Sequence, residues 1–276
     1  MKFSDFQRDH QRRLVSGLQW TRFEADLYSK PITRVLAQMK GRTGALALEA
    51  NSYSGRIRWH RAFRKHLGGA LGAEAPSYVI REPAFLLTFI DAALSVDDAK
   101  AAISTRTLRH RYGSPLKWVN CVGMLEPALY VSMPRKRFST GSLYLWHFHG
   151  VVWGCSAEEL RAMCRAICKQ GHDTLIPRAP AVEFRPIVPW EFHDVVGYIN
   201  KSPRHQYSLS PLGTGTSIKQ YKRMASGANL ARLHRHLDGL YLDELAIAQG
   251  EGKDVLKAIK ADALRDFRVA RREGRI

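Results

Sequence analysis

The segment LYLWHFHGVVW, residues 143–153, constrains the fold more than any other part of the chain. It is long, apolar and rich in aromatic and β-branched residues, which favours a β-strand. Because side chains alternate between the two faces of a strand, His147 and His149 share one face, and Trp146 and Phe148 share the other. Both faces are otherwise apolar, as is typical of a central strand covered on both sides.

The two histidines on one face of this strand require an explanation. Burying two neutral imidazoles without partners would cost several kcal/mol, of the order of ~2 or more for each ring. At a Cα separation of about 6–7 Å, His147 and His149 can instead converge on a metal ion. The alternative is a pair of core histidines that hydrogen-bond to the backbone or to each other. A second pair with the same spacing, His234 and His236, lies in a helical pattern, where such positions diverge. We therefore expect that pair to contact solvent or phosphate.

A third metal ligand is needed, because two histidines rarely complete a site. Glu126 follows the apolar run KWVNCVGML, residues 117–125, and would lie near the histidines if the two strands were neighbours. Two imidazoles and one carboxylate leave open positions on an octahedral ion, which suits Mg²⁺ or Mn²⁺. The alternative for Glu126 is a surface turn residue before Pro127.

The rest of the chain predicts one sheet with helices packed on it. Strands are predicted at residues 84–90, 117–125, 143–153 and 181–188, and helices at 96–113, 156–171 and 189–202. Ser156 and Glu159 form a capping-box pattern at the start of one of these helices. This alternation indicates a compact α+β or α/β core over residues 81–205. The flanks, residues 1–80 and 206–276, are predicted to be basic and mostly helical.

The charge balance indicates a polyanionic partner. Lysine and arginine number 43 against 25 acidic residues, a net charge of +18, which favours nucleic acid. The alternative is a solvated basic surface. Candidate DNA-binding residues are Arg56, Arg58, Trp59, Arg61, Arg64, Lys65 and Arg204. The chain has no apolar run of about 18 residues, and its N-terminus is too charged for a signal peptide, so we expect a cytoplasmic protein with no membrane partner.

A tyrosine lies on the polar side of the last predicted core helix. In PWEFHDVVGYINK, residues 189–201, Phe192 and Ile199 fall on the apolar face, whereas Tyr198 and Lys201 fall on a polar stripe. A tyrosine hydroxyl can act as a nucleophile if its proton is removed or its charge is stabilised. A lysine one turn later can supply that stabilisation. The alternative is an ordinary amphipathic tyrosine.

Taken together, these motifs resemble those of the HUH endonucleases, and more narrowly the rolling-circle replication initiators. The matches are His147-Phe148-His149 on a strand and Tyr198-Ile199-Asn200-Lys201 on a later helix. A preceding strand that contains threonine, Phe85–Phe89, is a loose counterpart of the first family motif, and the order of the three motifs agrees. The resemblance covers residues 81–205.

The resemblance implies a fold and a chemistry. The fold would be α+β, with a central, mostly antiparallel sheet of the ferredoxin-like palm type and flanking helices. Mg²⁺ or Mn²⁺ held by His147, His149 and Glu126 would polarise a phosphodiester of single-stranded DNA at a replication origin. Tyr198 would attack the phosphorus and become joined to the 5′ phosphate, while Lys201 steadies the phosphate or the phenolate.

Further expectations concern partners and the number of nucleophiles. The chain lacks the phosphate-loop pattern GxxxxGK[ST], so a host helicase and a host polymerase would act with it, and no small-molecule substrate is expected. The next tyrosine, Tyr207, lies beyond Pro203, which predicts a single-tyrosine enzyme.

Other readings compete with a replication initiator. The closest is a single-tyrosine HUH transposase, and another is a non-catalytic basic DNA-binding regulator. A conjugative relaxase usually has its tyrosine before the histidines, the opposite of the order here. A zinc hydrolase with HxHxDH does not fit, because Gly150, Val151 and Val152 follow His149. A non-haem iron oxygenase has no evident need for a charge of +18.

Overall fold

A computed structural model describes residues 48–73, 80, 82–97, 103–131, 141–176, 179–211 and 218–274. Within these ranges the chain forms six α-helices and eight β-strands. The helices are α1 (Tyr53–Leu71), α2 (Thr105–Gly113), α3 (Ala157–Lys169), α4 (Phe192–Asn200), α5 (Gly227–His236) and α6 (Gly252–Arg272). The strands are β1 (Ala84–Ile90), β2 (Val96–Asp97), β3 (Asn120–Val131), β4 (Leu143–Trp153), β5 (Val182–Pro186), β6 (His205–Pro211), β7 (Ile218–Met224) and β8 (Ala246–Gln249).

All eight strands join one sheet. Its main order is β5-β1-β4-β3-β6-β7, with β2 paired to β4 and β8 paired to β3. The pairing of β3 with β6 is parallel, and the other pairings are antiparallel. The predicted α+β fold with a mostly antiparallel central sheet is thus confirmed. Strands β1 and β4 have the predicted bounds, and β4 is buried along its whole length.

Helices cover both faces of the sheet. On the face that carries Phe89, α2 packs through Tyr112, whose ring centroid lies 4.9 Å from that of Phe89. Helix α3 lies on the same face, where Arg161 approaches the ring of Phe184 at 6.0 Å. Helix α4 covers the opposite face, which carries the two histidines of β4. The predicted capping box of Ser156 is present at the start of α3.

Helices α1 and α6 pack against each other, and α1 also packs against α4. Their apolar residues, among them Trp59, Phe63, Ile259 and Phe267, belong to the main hydrophobic core. The predicted flanks are therefore part of the same core as the sheet. Among the helices that the structure describes, none is long and apolar enough to cross a bilayer.

Two element predictions are wrong. The helix predicted over residues 96–113 begins only at Thr105, after the N-cap Ser104, and Val96 and Asp97 form β2. The region 206–276, predicted to be helical, supplies strands β6, β7 and β8 to the sheet. Strand β7 was missed because it is mostly exposed. Its sequence, IKQYKRM, does not show the apolar alternation by which a half-buried strand is predicted. The predicted helices before residue 48 lie outside the described residues.

Two glycines bring β3 and β4 unusually close behind the histidine face. Gly123 and Gly150 are direct cross-strand partners. A Cβ on Gly123 would lie 2.3 Å from the carbonyl oxygen of His149, and one on Gly150 would lie 2.5 Å from the ring of Phe148. The Phe148 ring can lie across this glycine pair because neither residue has a side chain. The backbone that carries His149 is therefore fixed by this contact.

A buried aspartate ties three segments together on the Phe89 face. The carboxylate of Asp91 is fully buried and accepts hydrogen bonds from Arg111 Nε at 2.6 Å and from the backbone N–H of Ala93 at 3.0 Å. His172 Nδ1 lies 2.7 Å from the same carboxylate. These contacts hold α2 and the segment after α3 against the end of β1.

Gly123→Ala tests the close approach of the two central strands. The new methyl group would collide with backbone atoms, which cannot rotate away, so we expect the free energy of unfolding to fall by about 1–3 kcal/mol or more. Urea denaturation measures this change. Gly68→Ala in α1 is the matched control, because its Cβ would meet other atoms only at 3.6 Å and alanine favours a helix. Equal losses for both variants would contradict the packing argument.

Candidate active site

The strand register places Glu126 directly beside the histidine pair. His147 pairs with Glu126 on β3, and His149 pairs with Thr88 on β1. Directly paired residues share a face of the sheet, so all four side chains lie on the same face. Glu126 lies within β3, and its side chain is largely buried at 14% exposure, so the alternative of a surface turn residue is wrong.

Helix α4 brings the tyrosine and the lysine onto this face. The Tyr198 ring centroid lies 4.8 Å from that of His149. The Lys201 ammonium lies 3.8 Å from the centre of the Tyr198 ring and forms a buried ion pair with Glu126. Five predicted residues from three separate elements therefore meet in one pocket: Glu126, His147, His149, Tyr198 and Lys201.

The two histidines have different partners. His149 Nδ1 lies 3.1 Å from the hydroxyl of Thr88, and its Nε2 lies 3.5 Å from a carboxylate oxygen of Glu126. Among the described residues, the buried Nε2 of His147 has no hydrogen-bond partner. The ring centroids of the pair are 5.8 Å apart. An unsatisfied buried nitrogen is costly and calls for a partner from outside the protein.

Burial keeps both imidazoles neutral. It is the main cause that lowers the pKa of His147 to about 3, and it also lowers the pKa of His149. Burial alone would raise the pKa of Glu126, but Lys201 and His149 together hold that pKa well below its usual range. At neutral pH the pocket therefore contains two neutral imidazoles beside a carboxylate–ammonium pair.

The environment of Tyr198 opposes its ionisation. Burial, and then the negative charge of Glu126, raise the pKa of Tyr198 to about 12. The adjacent Lys201 is the cation that would stabilise a phenolate at this position. The tyrosine thus needs a proton acceptor or a bound cation before it can act as a nucleophile near neutral pH.

The side chains suit a divalent ion in chemistry but are not gathered around one. Within the described ranges, no group of three or more His, Cys, Asp and Glu side chains is arranged to hold a metal ion. The Glu126 oxygen that lies 3.5 Å from Nε2 of His149 also pairs with Lys201. The unpartnered Nε2 of His147, Nε2 of His149 and the Glu126 carboxylate are nevertheless donors that Mg²⁺ or Mn²⁺ accepts.

A basic surface borders the histidines on one side. Tyr207 on β6 has its ring centroid 6.1 Å from that of His147, and it pairs with Lys222 on β7. Burial, and then Lys222 and Arg204, lower the pKa of His205 to about 4. We call Arg204, Tyr207 and Lys222 the basic shelf. Of these residues, sequence reasoning singled out only Arg204 as a DNA contact.

An acidic cleft borders Tyr198 on the other side. It has a volume of about 540 Å³ and lies between α4 and the strands β1 and β5. Its walls include three acidic residues, Glu183, Glu191 and Asp194, and one basic residue, Arg185, which is paired with Glu191 at 2.6 Å. The nucleophile candidate therefore lies between an acidic and a basic surface.

Three of the predicted DNA contacts are wrong. Trp59 is 1% exposed, and Arg56 and Arg58 are also buried. The guanidinium of Arg58 donates to Ser54 O at 3.0 Å, which occupies it within α1. The run was predicted from its composition, but these three positions lie on the core side of the helix. Their burial leaves them little surface to offer to a nucleic acid.

The other predicted contacts of α1 remain on the surface. Arg61 and Arg64 are exposed, and Lys65 is exposed but bound to Asp262 at 2.7 Å. Arg204 is half-buried beside the site. These four residues stay predicted DNA contacts.

Buried Arg56 instead supports the site. Its Nε donates to Ala50 O at 2.6 Å, and its Nη1 lies 3.4 Å from Asn200 O and 3.3 Å from Lys201 O. These bonds satisfy carbonyls where α4 ends, the point from which the Lys201 side chain enters the pocket. A helical wheel of α1 would have placed Arg56 on the same stripe as Phe63 and Leu67.

The fold and the pocket define an α+β protein with a buried His-His-Glu-Lys cluster beside a tyrosine. No family model, no curated protein and no solved structure matches this chain. The resemblance to HUH endonucleases therefore depends on the residues of this sequence and their arrangement.

The neutrality of His147 can be measured directly. We expect its imidazole to stay unprotonated as the pH falls from 7 to 5, because its pKa in the folded protein is about 3. The unfolded chain binds this proton near pH 6.5, so the free energy of unfolding should fall as the pH drops through the window from 6.5 to 3. Nitrogen NMR, with His147→Gln to assign the signal, measures the titration. A midpoint near 6.5 would contradict the buried, unpartnered ring.

Proposed function

We propose that this protein is a metal-dependent nickase and strand transferase for single-stranded DNA, with Tyr198 as its nucleophile. One observation carries the proposal. The Tyr198 ring, two neutral histidines, Glu126 and Lys201 meet in one largely buried cluster although they come from β3, β4 and the C-terminal end of α4. A chain has no structural need for such a combination in its interior, since an apolar set would be cheaper to bury.

The proposed reaction is a transesterification. The phenolic oxygen of Tyr198 gives up its proton and forms a bond to the scissile phosphorus, the bond from phosphorus to the 3′ oxygen breaks, and the leaving 3′ oxygen takes up a proton. The products are a 5′-phosphotyrosine and a free 3′-OH, and attack by a 3′-OH reverses the step and rejoins strands. Lys201 stabilises the phenolate from its position over the ring.

His147, His149 and Glu126 would hold the divalent ion, Mg²⁺ or Mn²⁺. When bound, such an ion supplies Lewis-acid polarisation of the scissile phosphodiester. Glu126 would then serve two cations, the metal and Lys201. Thr88 orients His149 through its other ring nitrogen, as partners of metal-bound histidines commonly do.

The proposed substrate is a strand at a replication origin. The basic shelf would hold the phosphate backbone beside the histidines, since a single strand binds to positive grooves with aromatic platforms. Rolling-circle initiation in the cytoplasm, with a host helicase and polymerase, is the role that we propose for this chemistry. A single-tyrosine transposase would use the same pocket. The Lys201–Glu126 pair, which occupies the third metal ligand, favours a non-catalytic DNA-binding regulator as the second candidate.

Tyr198→Phe tests the proposed nucleophile. We expect wild-type protein with Mn²⁺ to form a covalent adduct with a labelled origin strand, because the phenolic oxygen becomes esterified. The variant should form none, since it lacks that oxygen. A denaturing gel detects the adduct as a slow, labelled protein band, and a chelator should abolish it.

Tyr207→Phe is the matched control for this experiment, because it removes the hydroxyl of the other tyrosine next to the histidines. It should keep the adduct. An adduct that survives in Tyr198→Phe would disprove the assigned nucleophile. Tight strand binding with no adduct under any metal condition would support the regulator instead.

Lys201 and Lys222 are expected to have different roles. Lys201→Arg keeps the charge and the partner of Glu126, whereas Lys201→Met removes both, and we expect the latter to lower the nicking rate by about 10²–10³-fold. Lys222→Met should mainly weaken binding and reduce the slope of log affinity against log salt by about one. Single-turnover nicking and salt titrations separate these effects. The assignment fails if Lys222→Met lowers the single-turnover rate as much as Lys201→Met.

A further inference from the structure

We propose a second binding site for single-stranded nucleic acid, in a groove on the sheet face opposite Tyr198. The groove lies between α2 and α3 and has a volume of about 890 Å³. This size is enough to enclose one or two nucleotides. We call it the α2–α3 groove. Binding in this groove goes beyond the proposed nicking activity, because it needs neither Tyr198 nor a metal.

The groove has apolar and basic lining residues. Val119, Met163 and Ile167 are among the apolar ones, Lys117 is basic, and Arg111 lines the groove while its Nε is bound to Asp91. An apolar surface accepts the flat face of a base, and cationic side chains accept the phosphates on either side of it.

An exposed tryptophan also lines the groove. Trp118 is 80% exposed, the highest value among the large hydrophobic residues that the structure describes as exposed. Lys117 Nζ lies 4.7 Å from the centre of its ring. The lysine covers one face of the indole, so the second face is available for a base. Base–aromatic stacking of this kind is sequence-tolerant, because every base has a π-face.

The charge around the groove favours a polyanion. Helix α2 contains Arg106, Arg109 and Arg111 and no acidic residue. Of these arginines, Arg111 lines the groove, together with Lys117, whereas Arg106 and Arg109 lie elsewhere on α2. Glu159 also lines the groove and stays ionised, since it accepts hydrogen bonds from the hydroxyl and the backbone N–H of Ser156. An exposed aromatic ring with a lysine beside it, on a helix that carries further arginines, suits a nucleic-acid strand.

The wall of the groove is already in place before a ligand arrives. Asp91 holds Arg111 and His172, two residues that line the groove, and the Tyr112 hydroxyl donates to Trp146 O in β4. A site on a fixed helix loses less entropy on binding than one on a mobile loop. The groove is thus preorganised rather than formed by its ligand.

The groove is distant from the proposed nicking site. It opens where β3 begins at Asn120, and Glu126 lies six residues further along this strand, about 20 Å away at 3.3 Å per residue. The two sites also lie on opposite faces of the sheet. A short strand bound at Tyr198 cannot reach Trp118, whereas a long strand that passes around the sheet edge can. The second site therefore predicts affinity that grows with strand length.

Trp118→Ala tests the groove by fluorescence anisotropy with labelled oligonucleotides of two lengths, roughly 4 and roughly 30 nucleotides, since roughly 4 nucleotides at about 3.4 Å each do not span the distance between the two sites. We expect the variant to lose about tenfold in affinity for the long strand, the loss of one base–aromatic stack, and little for the short one. Trp118→Phe should restore most of the binding. Trp190→Ala is the matched control, because Trp190 is 78% exposed in the short 3-10 helix Pro189–Glu191, which precedes α4.

Charge and position are tested separately. Lys117→Glu should weaken binding of the long strand, whereas Lys257→Glu on the exposed side of α6 should not. Photocrosslinking of an iodouracil-containing strand should label the segment around Trp118. If Trp118→Ala and Lys117→Glu bind both strands as the wild type does, or if an acidic peptide but no strand crosslinks there, the proposal is overturned.

The outcome does not depend on nicking. Trp118-dependent binding in Tyr198→Phe protein would support the groove even if the chain forms no adduct. Adduct formation with an unchanged affinity of Trp118→Ala would support the nickase and disprove the groove.

Discussion

The buried ion pair between Glu126 and Lys201 holds the candidate site together. It joins β3 to the end of α4 across the face on which His147 and His149 lie. Two buried charges are expensive to remove from water, so such a pair is a weak source of stability by itself. Loss of one partner nevertheless typically costs about 3–5 kcal/mol, because it leaves the other charge buried and unpaired. What it provides is position, because it places the ammonium over the Tyr198 ring. Arg56 fixes the same helix end from the other side.

The sheet explains why the histidines are held so firmly. Behind them, Gly123 and Gly150 allow the Phe148 ring to lie across the two central strands. The backbone at His149 is thus closely packed against β3. The second histidine pair with this spacing, His234 and His236, shows that the backbone conformation decides whether the two rings lie on the same face. On α5, His234 is buried against Asn51 and His236 stacks on Tyr144 at 4.1 Å, so the predicted divergence is confirmed and the predicted solvent contact of His234 is wrong.

The sequence predicts those elements of this protein that carry a clear local signal, such as burial on both faces of a strand or a capping motif. Strand β4 is apolar on both faces, and α3 has a capping box, so both have clear local signals. Strands β6 and β7 were missed because their side chains are polar and partly exposed, and their place in the sheet depends on the long-range pairing of Tyr207 with Lys222 and of Tyr130 with Tyr207.

The composition of α1 led to a wrong prediction of surface contacts that the helical periodicity of its residues would have corrected. Arginines in α1 indicated a surface, yet Arg56 lies on the same stripe as Phe63 and Leu67 and bonds to backbone carbonyls. The ion pair of Lys201 with Glu126 could not be predicted either. The two residues are 75 positions apart, and sequence spacing gives no information on a contact between a strand and a helix at that separation.

The uneven charge around Tyr198 constrains how a strand can approach it. On one side lie Glu183, Glu191 and Asp194 with one basic residue, Arg185, which is paired with Glu191 at 2.6 Å. The net negative charge of this side repels a phosphate backbone. On the other side lies the basic shelf with Lys222. If the protein binds a strand as proposed, the favourable approach is along β6 and β7, over the histidines and up to the tyrosine. The backbone of that strand would turn away or end there, because the cleft beyond has more acidic than basic residues. Tyr198 lies at the boundary between the two surfaces, so it would face the last phosphate on the basic side.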